Sequence, residues 1–101
     1  MKDKDIREKT KNELIEQFYV KHGGKPHLVE DIHFYESDWN MLMSVVEKIE
    51  SLGNNVGIWD KDCMINNGSK DEIDCQSTSK IKAVYEAVIE FIKLYNENKN
   101  P

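Results

Sequence analysis

Between Ser79 and Glu97 the chain carries a helical segment that is apolar on more of its circumference than a small one-sided core would use. Ile81, Val84, Tyr85, Val88, Phe91, Ile92 and Tyr95 recur at spacings of three and four, a helical period. Ala83, Ala87 and Leu94 widen that stripe, and Ile89 falls on a further side. Such a helix has to be covered broadly, either by a sheet together with a neighbouring helix or by a second copy of the chain. Whatever else the sequence does, its fold must enclose this segment.

The 101 residues suit a single domain spanning positions 1–101. A chain of this size buries roughly two thirds of its unfolded surface, enough for a core without metal or disulfide support. Fourteen Lys and Arg stand against 19 Asp and Glu, a net charge of −5. Phosphate contacts need a basic patch, so no nucleic-acid partner is expected. No apolar run approaches the roughly 20 residues that span a bilayer, and no membrane partner is expected either. Met1-Lys2-Asp3-Lys4-Asp5 opens no apolar signal segment, which makes the cytosol the expected compartment.

The pattern before the central glycines is helical. Ile6, Thr10, Leu14 and Phe18 form an i, i+4 stripe with Ile15 and Tyr19 beside it, predicting a helix over about 3–19. His22-Gly23-Gly24-Lys25-Pro26 ends it: the glycines permit a left-handed cap, and proline blocks continuation. Residues 1–26 thus form an N-terminal helix and loop, followed by a weakly alternating stretch over 27–35 that suits an extended edge segment. A second helix is expected over 38–52, capped by Ser37 and closed by Gly53, with Trp39, Leu42, Val46, Ile49 and Leu52 on one face.

After Gly53 the period changes to two. Val56 and Ile58, then Cys63 and Ile65, then Ile73 and Cys75 are the apolar members of three short strands. A turn at Asp60-Lys61 sets Ile58 opposite Cys63 and Val56 opposite Ile65. A turn around Ser69 sets Ile65 opposite Ile73 and Cys63 opposite Cys75. One register places all six on one face, and a one-residue slip would expose them all. Ser77-Thr78-Ser79 caps the last helix, which is expected to reach about Asn96 before a mobile tail over 98–101. The expected fold is α+β: a three-stranded antiparallel meander packed between helices, in the order α-α-β-β-β-α, with 35–97 as the α-β-β-β-α core. The first helix is placed on the other face of the sheet or along an edge, where it would cover Trp59.

Two of these helical runs carry a family resemblance. Tyr35-Glu36-Ser37-Asp38-Trp39-Asn40-Met41-Leu42-Met43-Ser44-Val45-Val46-Glu47-Lys48-Ile49 is one, and Ser79-Lys80-Ile81-Lys82-Ala83-Val84-Tyr85-Glu86-Ala87-Val88-Ile89-Glu90-Phe91-Ile92-Lys93-Leu94-Tyr95-Asn96 is the other. Together they resemble the phage ABA sandwich domain, a family of small phage and prophage proteins of unknown function, many from gut bacteria of the Bacteroides type. Ser44 departs from the family pattern, where proline is frequent, and so does Leu94, where tryptophan is common. The resemblance implies a helix/sheet/helix fold, a mobile-element origin and a host bacterial cytosol. It brings no activity and no catalytic residues.

Chemistry-bearing residues are sparse. His22, His27 and His33 lie near Glu30 and Asp31, but no second ligand pair gives them zinc spacing, so solvated loop histidines are the better reading. Asp60, Asp62, Asp71, Glu72 and Asp74 gather at the strand ends; Met64 and Ile65 break the calcium-loop pattern there, which favours solvated acids. His22-Gly23-Gly24-Lys25 lacks phosphate-loop spacing and reads as a helix stop. Trp59 suits either a stacking platform or cover by the first helix. Cys63 and Cys75, as cross-strand neighbours with β carbons about 4.5–5.5 Å apart, form a possible pair. A bridge between them would contribute on the order of 3 kcal/mol. In a reducing cytosol two core thiols are the expected state.

No catalytic residue, cofactor or metal site is therefore expected, and the chain reads as a non-enzymatic module. Its possible interaction surface is Ile89, Leu94 and Tyr95, meeting an unknown protein partner or forming a homodimer. An alternative is an acidic inhibitor that mimics nucleic acid and occupies a host defence enzyme. A third is a small hydrolase using the strand-end acids.

Overall fold

The computed structural model describes residues 2–25, 34–66 and 72–99, with side chains over 11–25, 35, 37–66 and 72–96. Its elements run α1 (Lys2–Lys21), α2 (Phe34–Ser37), α3 (Trp39–Ser51), β1 (Asn55–Ile58), β2 (Asp62–Asn66), β3 (Glu72–Gln76) and α4 (Lys80–Lys99). This is an α+β fold in the expected order. α4 continues to Lys99, so positions 98 and 99 extend the helix where a tail was expected. The expected extended stretch is corrected at its end, since Phe34–Ser37 is a helical turn; residues 27–33 lie outside the described residues.

Helix ends follow local chemistry. Asp38, not Ser37, caps α3: in extended conformation it accepts the Met41 amide at 3.2 Å. At the other end Gly53 has φ +93°, and the Asn54 side-chain amide donates to the Ile49 carbonyl at 2.9 Å. α1 closes similarly. Gly23 takes φ +93° and donates to Val20, while Gly24 donates to Tyr19 at 2.9 Å, a Schellman arrangement that satisfies the last carbonyls. The His-Gly-Gly-Lys run is thus a helix stop. Ser79 starts α4, its hydroxyl accepting the Lys82 amide at 3.3 Å.

The sheet order is β1-β2-β3, antiparallel throughout. Ile58 pairs with Cys63, Val56 and Ile73 both pair with Ile65, and Cys63 pairs with Cys75, as the apolar spacing requires. These side chains face α3 and α4: β1 rests on α3, and β2 and β3 rest on α4. α4 is the axle of the core. Ala83, Val84, Tyr85, Ala87, Val88, Ile89, Phe91 and Ile92 are all buried, because the sheet, α1, α2 and α3 each take a side of it. The chain supplies all of that cover itself.

α1 does not lie on the far face of the sheet, which corrects the expected helix/sheet/helix layering. Its main contacts are with α4 and α3, so it forms a layer beyond α4 and not a cover on the far side of the sheet. Its buried line also differs from the expected stripe: Asn12, Ile15 and Phe18 point inward, with Leu14 and Tyr19 half-buried beside them. Phe18 meets Phe91 and Tyr95 edge-on at 5.9 and 5.5 Å. On α3 the buried residues are Leu42, Val45, Val46 and Ile49, while Trp39 and Leu52, at its two ends, are exposed. Among the described residues no helix is long and apolar enough to cross a membrane.

Candidate functional site

The described residues hold three places where polar or reactive groups meet: the thiol pair with a neighbouring cavity, a buried network between α1 and α2, and the outer face of the sheet.

Cys63 is fully buried and Cys75 half-buried, directly opposite across β2 and β3, and both are free thiols. A cavity of about 220 Å³ opens beside Cys75, lined by Lys11, Tyr85, Glu86, Ile89, Glu90 and Lys93. Burial pushes the Cys63 thiol up to about 12, and burial with the nearby Glu86 and Glu90 raises Cys75 as well. Such thiols hold their protons and are poor nucleophiles, which fits apolar filling better than catalysis. At pH 8 the thiolate fraction of Cys63 is lower than in the unfolded chain on the order of a thousandfold. A chromogenic disulfide reagent should accordingly label Cys75 slowly and leave Cys63 unmodified until the chain unfolds. Prompt labelling of both in the native protein would contradict this packing.

The second place is a polar network that the amino-acid pattern does not reveal. Asn12 is 1% exposed and accepts the Tyr35 backbone amide at 3.1 Å, while the Tyr35 hydroxyl donates to the Glu16 carboxylate. Tyr35 itself is fully buried, and burial with the Glu16 contact pushes its hydroxyl above the usual phenol range. These contacts dock α2 onto α1. The one signal in the sequence is an asparagine on the same helical line as Ile15 and Phe18.

The third is the outer face of the sheet. Period two sends Gly57, Asp62, Met64, Asn66, Glu72, Asp74 and Gln76 away from α3 and α4. Gly57, Met64 and Asp74 form one cross-strand row; Asn55, Asn66 and Glu72 form another; Asp62 and Gln76 pair in a third. Trp59, just past β1, donates its amide to the Asp62 carbonyl at 2.8 Å and remains 53% exposed. The expected cover by α1 is therefore corrected: α1 lies against α4, and Trp59 instead folds back over Gly57. A β carbon on Gly57 would fall 2.6 Å from the indole edge. Gly57→Ala should push the indole off the strand into water, red-shifting its emission in a Trp39→Phe background at small cost in stability. An unchanged spectrum would mean that the indole does not rest there.

Electrostatics give this face its character. Asp62 and Asp74 are diagonal neighbours, and a hydrogen bond between their carboxyl groups raises Asp62 above the usual carboxylate range, with desolvation and the charge of Asp74 adding to it. Glu72, exposed, accepts from the Asn66 amide at 3.4 Å. The three strands contain no Lys or Arg.

Of the expected interaction residues, Ile89 is corrected. It is only 3% exposed, because α4 is enclosed on that side as well. Leu94 is 38% exposed, and Tyr95 is half-buried against Phe18, His22 and Phe91. The structure thus leaves Leu94 alone of the three as openly exposed. His22 packs on Phe18 and Tyr95 at ring distances of 4.5 and 5.4 Å; His27, His33, Glu30, Asp31 and Asp71 lie outside the described residues. Among the described residues no three His, Cys, Asp or Glu side chains are grouped to hold a metal ion. No family model, curated protein or solved structure matches the chain.

Proposed function

We propose that the protein is a non-enzymatic binding module that docks a protein partner on the outer face of its sheet. One observation carries the reading: no described helix covers that face, and it presents a half-exposed tryptophan beside Met64. Large aromatic side chains left half in water are frequent anchors of protein interfaces. The excess apolar surface of α4 no longer motivates self-association, since that surface is spent on the chain's own core. The two helical motifs that resemble the phage ABA sandwich domain support an accessory role in a phage or prophage, acting in the host cytosol.

The partner need not be identified before the surface is tested. Panning a random peptide library against the purified chain should enrich peptides that lose at least tenfold in affinity on Trp59→Ala and on Met64→Ala, as truncation of interface anchors does. Both variants should keep the wild-type melting temperature. Enriched peptides indifferent to both substitutions would place the binding surface elsewhere and overturn the reading.

A further inference from the structure

The charge on the docking face narrows the partner's chemistry. Asp62, Glu72 and Asp74 project from the outer face of strands that carry no cation, and the Trp59 indole lies on the same sheet across Met64 from Asp74, over Gly57 of the β1 edge. We infer that the occupant of this face is a cationic, arginine-bearing protein segment in extended conformation, an inference that rests on the docking reading above.

Three features select that occupant. Glu72 and Asp74 stand two residues apart on β3, about 7 Å along the strand. Alternate residues of an extended segment have the same spacing, so arginines at i and i+2 meet both carboxylates at once. A guanidinium accepts this arrangement better than an ammonium, because its planar fork binds a carboxylate bidentately. The third feature is the exposed indole of Trp59, on whose face a further guanidinium can stack.

Other occupants are disfavoured by the same charges. A second copy would meet this face through a twofold axis and bring Asp62, Glu72 and Asp74 against their own images. Nucleic acid and anionic lipid would bring phosphates to an acidic surface on a chain of net charge −5.

Twelve-residue peptides carrying Arg, Lys, Glu or Leu at alternate positions, titrated into the isotopically labelled chain, separate the possibilities. The arginine peptide should shift the amides of Gly57, Met64 and Asp74. Its affinity should fall about tenfold between 50 and 200 mM salt, as expected for screened surface charges. The lysine peptide should bind several-fold more weakly. Binding of the arginine peptide should drop by about tenfold in a Glu72→Gln/Asp74→Asn variant whose melting temperature is unchanged. Arginine-peptide shifts elsewhere on the chain, or affinity unaltered in that variant, would overturn the inference. Should the leucine peptide move Gly57 and Met64 while the arginine peptide does not, the cationic partner falls and the docking face stands. If no peptide perturbs the face, both readings fall.

Discussion

Val84→Asp should leave the chain unfolded at 25 °C, whereas Leu94→Asp should leave it folded with stability within about 0.5 kcal/mol of wild type. Both positions lie on α4 and both are apolar, but Val84 is 0% exposed and Leu94 is 38% exposed. At Val84 the change removes about 1.5–3 kcal/mol of apolar burial. It also leaves a carboxyl in an apolar interior, where it either ionises at high cost or takes up a proton and lacks partners. The sum reaches several kcal/mol in a domain whose whole stability is about 5–15 kcal/mol. Circular dichroism with urea titration checks both. A cooperative transition retained by Val84→Asp at the wild-type midpoint would mean that α4 is not the enclosed axle described above. Loss of folding in Leu94→Asp would mean that its outer side is buried by something the monomer lacks.

The second large effect is alkaline destabilisation. Cys63 titrates near 9.0 when unfolded and at about 12 in the fold, and Tyr35 is raised above its ordinary 10.0. As pH rises past 9, the unfolded chain releases these protons while the native state keeps them, so the unfolded state binds fewer protons and stability declines. The contribution of each group is fully present below its unfolded value and is lost as pH climbs toward its folded one. Each group adds a slope approaching 1.4 kcal/mol per pH unit, roughly. Urea melts from pH 8 to 11.5 should therefore show a midpoint that falls from pH 9 and more steeply from pH 10. Tyr35→Phe should remove the steeper part, after an initial loss of about 1.5–3 kcal/mol from the bond to Glu16. Cys63→Ala should shrink the earlier part, leaving the share of Cys75, whose thiol burial also raises. A midpoint flat to pH 11, or a Tyr35→Phe slope equal to wild type, would contradict the enclosed network between α1 and α2.

Those two experiments bear on different kinds of information. The strands, their register and the pairing of Cys63 with Cys75 were legible because alternation over four or five residues specifies a face, and only one register puts six apolar residues on the same side. Helix stops at Gly23 and Gly53 were legible for a similar reason, since the positive φ there is a local demand that glycine meets cheaply. The candidate interaction residues fared differently. Ile89 looked like surplus apolar surface, because a helical wheel shows which residues lie on which side but not how many neighbours arrive. Trp59 looked like a residue awaiting cover; its burial depended on where α1 would dock.

Local rhythm thus determined the elements, their ends and the pairing of the strands, all of which follow from backbone geometry over a few residues. Only the tertiary structure decided that α1 packs against α4, that Asn12 and Glu16 reach Tyr35 across 23 and 19 positions, and that no described helix covers the outer face of the sheet. Contacts between residues so far apart in the chain depend on the relative placement of whole helices. That placement is set by the best joint enclosure of α4, and no window of sequence contains it.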